Sequence, residues 1–167
     1  QYEDPTIDGF FHTSHGHWGQ GHFPTLPVSG RFNPDNYASP YSHKTEVAQA
    51  GYYKVYLSRY KVVSELTVDR RSAYHRHTFK SAKDKHVVMN LSRTNSVRPG
   101  NAQWTFRQID DTSFCGSQNG MFFYAVANQR VTGTRTVSNA REQFTVIDFA
   151  DGAKTVELKI GFSYTST

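Results

Sequence analysis

The stretch FHTSHGHWGQGH (11–22) places four of the chain's eight histidines, His12, His15, His17 and His22, within twelve positions, alongside Trp18 and three glycines. Neutral imidazole is a ligand for zinc, copper or nickel, and a strand through this stretch would put His15 and His17 on one face. A catalytic zinc site also draws on a carboxylate or a positioned outer partner, and the nearest acids in sequence, Asp8 and Asp35, lie outside the cluster. The same residues suit a hydroxyl-rich ligand: histidine and Gln20 can exchange hydrogen bonds with it, and Trp18 offers an apolar platform. A loop packed on its neighbours without any ligand is the third reading. Residue types alone leave the three open.

Other arrangements offer less. Hydrolysis of a glycosidic bond needs two carboxylates flanking it, and the one adjacent pair, Asp110-Asp111, would point to opposite faces of a strand and is expected to open a turn. His75 and His77 in SAYHRHTF share a strand face with Ala73 and Phe79 and read as a packed or surface pair. The sequence has no G-x-S-x-G elbow, phosphate-binding loop or H-E-x-x-H helix. From the residues alone, no catalytic engine is visible.

The elements that would position these residues are strands. From residue 51 onward, runs rich in Val, Ile, Thr, Tyr and Phe alternate with turn residues: 51–57, 62–68, 72–79, 86–92, 102–109, 121–128, 134–138, 143–149 and 155–164. In the last of these Val156, Leu158, Ile160 and Phe162 fall on one face and Glu157 and Lys159 on the other, so one face is core and one is wet. No window sustains a helical apolar period. Residues 1–50 hold five of the six prolines and read as loops with short strands near 6–11 and 24–29. The expectation is an all-β chain, an antiparallel two-sheet β-sandwich with a loop-rich N-terminal third, 1–167 forming one domain.

Composition sets further bounds. Ten tyrosines and twelve phenylalanines in 167 residues suit β structure. The single cysteine, Cys115, excludes an internal disulfide and a cysteine-built zinc site. No apolar run is long enough for a membrane-spanning helix, so no membrane partner is expected. The net charge of +5 concentrates between Arg70 and Lys85 as a solvated edge, and with no nucleic-acid motif beside it no nucleic-acid partner is expected. The sequon at Asn90 lies in an apolar run with little room for a glycan.

Specific strings carry more. Tyr41, Ser42, His43, Glu46, Ala48, Gly51, Tyr52 and Tyr53 match a Phe-Ser-His-x-x-Glu-x-Ala-x-x-Gly-Tyr-Tyr pattern in all but its first position. Glu65, Leu66 and Thr67, followed by His75, Arg76, Thr78 and Phe79, match a second pattern, and HVVMNLS a third, with Asn90 where Asp is usual. Gly9, Phe10, His12 and Thr13 are in register with a Gly-Phe-Ser-His-Thr opening, and the match stops beyond Thr13. Together, and with the closing IGFSYTS, they resemble the N-terminal β-sandwich domain of glycoside hydrolase family 92, the calcium-dependent exo-acting α-mannosidases.

The resemblance implies a two-domain enzyme in which a sandwich packs on an α/α-barrel, with the active site between them. It implies a mannose-containing glycan as ligand, a secreted or extracytoplasmic location, and calcium held by ligands mostly outside this chain. The catalytic carboxylates would lie in the barrel, so this chain is expected to be an incomplete N-terminal part that is inactive alone and is covered by a catalytic barrel domain or partner chain. His12 and Thr13 become substrate-binding residues by resemblance, and Trp18 and Gln20 by chemistry. His15, His17 and His22 remain the metal reading. The alternative is a lectin-like module that binds sugar without cleaving it.

Overall fold

A computed structural model of the chain describes residues 4–13, 21–94 and 101–166. Its strands in chain order are β1 (Thr6–Ile7), β2 (Thr25–Ser29), β3 (Ser39–Pro40), β4 (Val47–Gln49), β5 (Tyr52–Leu57), β6 (Val62–Asp69) and β7 (Ser72–Phe79). They continue as β8 (Lys85–Met89), β9 (Trp104–Gln108), β10 (Ser113–Gln118), β11 (Met121–Ala127), β12 (Val131–Ser138), β13 (Gln143–Phe149) and β14 (Thr155–Ser163). Among the described residues the only helical element is the 3-10 turn His43–Thr45.

An eight-stranded sheet runs β4-β5-β6-β7-β14-β11-β10-β9, and a four-stranded sheet runs β12-β13-β8-β2, with every pair antiparallel. One apolar cluster joins them, with Val55, Leu57, Val62 and Leu158 from the larger sheet and Leu26, Val28, Val87 and Ile147 from the smaller. The chain is thus the expected two-sheet antiparallel sandwich. Alternation is visible in the burial of β7, where Ala73, His75, His77 and Phe79 face the core and Ser72 and Arg76 face solvent. The register sets Tyr53, Leu66, His75 and Leu158 in one row across four strands and Val55, Ser64, His77 and Val156 in the next.

Three strands lie outside the sequence expectation: β3, β4 and β10. β10 (SFCGSQ) is the consequential one, since it pairs with both β9 and β11. Its pattern is masked by Gly116 and by polar residues that turn out to be buried. A Cβ on Gly116 would lie 2.2 Å from the Thr105 carbonyl and 2.8 Å from the Phe123 ring, so only glycine lets those neighbours close in.

The family strings are mostly architecture. The Ser42 hydroxyl caps the 3-10 turn, the His43 ring bonds Glu46, and the Tyr53 hydroxyl donates to the other Glu46 oxygen at 2.5 Å, clasping the turn to β5. Tyr52 donates to Glu65 at 2.7 Å. Asn90, 3% exposed, donates its amide to Glu142 at 2.8 Å, so its sequon carries no accessible acceptor. The Asp110 carboxylate caps its turn by accepting from the Thr112 and Ser113 amides and the Ser113 hydroxyl, and these bonds lower its pKa to about 2. Lys85 departs from the solvated edge: it is buried, and its ammonium donates to the Ala82 and Ala150 carbonyls.

Candidate functional site

The opening loop is built on two short antiparallel segments. Phe10 and Thr25 exchange both backbone bonds, and the His12 amide donates to the His22 carbonyl at 3.0 Å. Gly9 passes so close to Pro24 that a Cβ there would sit 2.9 Å from the proline's own. The Thr13 hydroxyl oxygen accepts from the Gly21 and His22 amides at 2.8 and 3.0 Å and lies 2.9 Å from His22 Nδ1, to which it gives its proton. Residues 10–13 and 21–25 therefore form a pinned neck.

The neck is held to the larger sheet at two points. Phe23 has a positive φ of 54°, a region that a bulky side chain adopts only when its surroundings impose it. Its amide donates to Gln118 Oε1 at 2.7 Å, and Gln118 Nε2 donates in turn to the Leu91 and Arg93 carbonyls, each at 2.7 Å. The Phe23 ring stacks on Phe162 at 5.8 Å and meets Phe123 edge-on at 4.9 Å. The second anchor is His12. Its Nδ1 lies 2.7 Å from the Phe23 carbonyl, its Nε2 lies 3.0 Å from His75 Nε2, and the two rings stack at 4.8 Å. His77 lies behind, with its Nδ1 3.0 Å from the Ser64 hydroxyl and its ring stacked on Phe10.

This packing dictates the charge state. Burial lowers the pKa of His12 to about 4 and that of His77 to about 3, and drives His75 well below its ordinary value, helped by its imidazole neighbours. Burial also lowers His22. All four are neutral near pH 7.

Beside the neck opens a cleft of about 230 Å³. His12 and Thr13 form one wall, and Arg70 and Arg71, at the tip of the β6–β7 hairpin, form the other. Met121, Phe162 and Tyr164 complete it, and Tyr164 is 69% exposed. Aromatic faces flanked by guanidinium donors suit a sugar, whose ring has apolar faces and a hydroxyl rim. None of the described lining residues is a carboxylate. A broader depression of about 560 Å³ lies on the outer face of the same sheet around Tyr74, Tyr124 and Val126, away from the neck.

His12 and Thr13 thus meet at one cleft, but the hydrogen-bonding atoms of both are taken up by the neck and by His75 of β7. His22 is buried, its Nδ1 held by Thr13. His15, His17, Trp18 and Gln20 lie outside the described residues. Among the described residues no group of three or more His, Cys, Asp or Glu side chains could hold a metal ion. No helix of the described residues is long and apolar enough to cross a membrane. Sequence reading missed Gln118, which lies in the unassigned strand β10; Arg70 and Arg71, read as a solvated edge, are exposed as expected and also line the cleft.

The glycosyl hydrolase family 92 N-terminal domain model matches residues 1–163. No curated protein matches the chain. Among solved structures, the family GH92 α-mannosidase BT3965 from Bacteroides thetaiotaomicron is similar at a TM-score of 0.84 and 23% identity, with 100% of this chain and 28% of that one covered. The gh92 family glycosyl hydrolase ccman5 gives 0.79 and 22%, covering 99% and 27%. The family GH92 inverting mannosidase BT2199, also from Bacteroides thetaiotaomicron, gives 0.77 and 18%, covering 99% and 25%. The chain spans between a quarter and a third of the length of each.

Proposed function

This chain belongs to the glycosyl hydrolase family 92 N-terminal domain family, and from that premise we propose that it is the sandwich part of an α-mannosidase, shaping the sugar-binding site while a barrel domain supplies the carboxylates. The observation that carries this reading is the cleft, walled by the family-matching His12 and Thr13 and by Arg70 and Arg71, with no carboxylate among its described lining residues. Hydrolysis needs an acid and a base or nucleophile on either side of the bond, so this wall orients a sugar, keeps water from one side of it and leaves the proton transfers to groups brought by another segment. Trp18 and Gln20, which lie in sequence between the two halves of the neck, are proposed as further substrate contacts. Calcium, with ligands mostly outside this chain, and a secreted or extracytoplasmic location are proposed with it, on the family and on the glycan class.

The 167-residue chain, incubated with an α-mannoside and calcium, is expected to give no turnover, whereas the polypeptide carrying the barrel as well hydrolyses it. In that longer polypeptide Tyr164→Ala is expected to raise KM about tenfold with a smaller change in kcat, the mark of a binding contact. Hydrolysis by the 167-residue chain alone would overturn the division of labour. Because exposed Tyr164 flanks the cleft, a lectin-like module is the second reading. Calorimetric binding of the mannoside to the chain, with no hydrolysis by any longer natural form, would favour it.

A further inference from the structure

Three buried imidazoles in contact carry a fixed set of protons. The Phe23 carbonyl can only accept, so His12 Nδ1, 2.7 Å away, must hold a hydrogen. In the neutral ring His12 Nε2 is then bare. It lies 3.0 Å from His75 Nε2, and two bare nitrogens do not bond, so His75 carries its hydrogen on Nε2. His75 Nδ1 is consequently bare, and it is buried with no hydrogen-bond partner among the described residues. Such orphaned atoms are rare in folded proteins. A phenyl ring at position 75 would pack in the same row, between Leu66 and Leu158, without that cost. What a phenyl ring there would lack is the one hydrogen bond of the imidazole, from Nε2 to His12.

We infer that His75 is a positioning residue: by donating from Nε2 it locks His12 in the tautomer that grips the Phe23 carbonyl, and so holds the neck that walls the cleft. His77 sets the plane of His75 from behind. The two rings stand perpendicular at 5.4 Å, and Ser64 and Phe10 hold His77 in turn. The neck then transmits the restraint, because Thr13, next to His12, gathers the Gly21 and His22 amides. The link to a sugar rests on the function proposed above, whereas the link to the neck does not.

Long-range nitrogen–proton spectra of the histidine rings at pH 7 test the proton placement directly, with His12 expected as the Nδ1–H form and His75 as the Nε2–H form. In His75→Phe, exchange of the Gly21 and His22 amides is expected to accelerate on the order of tenfold. In His75→Gln, whose amide can place a donor near the lost Nε2–H, exchange should return close to its original rate. A wild-type His12 in the Nε2–H form, or a folded His75→Phe chain with unchanged exchange at both amides, overturns the inference. In the polypeptide carrying the barrel, His75→Phe is expected to raise KM for an α-mannoside several-fold, with rescue by His75→Gln. Altered exchange with unaltered KM supports the hold on the neck and overturns the link from the neck to sugar binding.

Discussion

Histidine serves two opposite designs at two ends of this sandwich. At the cleft, His12, His75 and His77 pack against one another and against Phe10 and Phe162, with no carboxylate among their hydrogen-bond and ring partners in the described residues. On the smaller sheet, His86 bonds Asp148 at 2.6 Å, and Arg135 reaches the other oxygen of the same carboxylate. That second group is wetter, since Arg135 is 44% exposed and Asp148 27%. The contrast shows that the partner, and not the residue, decides what a histidine contributes. In the dry cluster it is a neutral, directional brace, costly to charge. At the wet rim it is a hydrogen-bond partner to a carboxylate that a solvent-exposed arginine also holds.

The sharpest way to break this contrast is acid. A histidine whose pKa is lowered on folding contributes stability that is whole above its unfolded value of about 6.5 and is lost as the pH falls, because the unfolded chain takes up protons that the native chain refuses. His12 refuses its proton until about pH 4 and His77 until about pH 3. Between pH 7.5 and pH 5 the loss is about 2 kcal/mol for each such histidine. Urea midpoints measured across that range should fall steeply, and His77→Phe should flatten the slope. A midpoint that stays level from pH 7.5 to pH 5 would remove the dry, neutral cluster altogether.

Next in size is the anchor beside that cluster. Gln118→Leu leaves the Phe23 amide and the Leu91 and Arg93 carbonyls without their partner in a buried place. About 3 kcal/mol of stability and roughly 10 °C of Tm should go with it, read by calorimetry. Thr13→Val keeps the shape of the side chain but strips the neck of its acceptor. A loss of about 1 kcal/mol is expected, with faster exchange of the Gly21 amide and little change in the core strands. Equal effects of these two substitutions would mean that the neck folds as one unit with the sheet and is not a pinned appendage.

These sensitivities also mark how far the sequence could be read. The nine longer strands were legible because alternation is a local property: in β14 the buried Val156, Leu158 and Ile160 follow directly from the spacing. β10 was not, because Gly116 and Gln118 break the apolar rhythm for reasons held elsewhere, a neighbouring carbonyl and three backbone groups of other segments. The pairing of His75 with His77 on one face was legible from their spacing. Their contact with His12 was not, since it joins positions 63 residues apart that only the β7 register and the neck bring together. The family strings pointed to His12 and Thr13 as a pair, and the structure sets both beside one cleft with hydrogen bonds to Phe23, His75, Gly21 and His22, a bracing that no motif distinguishes from ligand contact.

The smallest expected effect tests the other side of the contrast. Arg135→Ala removes a guanidinium from the Asp148 carboxylate at a site open to solvent, where water and counterions replace most of what is lost. The remaining acceptor bond to His86 is untouched. Stability should change by at most about 0.5 kcal/mol, and the change should shrink as salt is raised from 0.05 to 0.5 M in urea titrations. A loss as large as that of Gln118→Leu, insensitive to salt, would mean that the rim is as dry as the cleft and that one design, not two, governs the histidines of this fold.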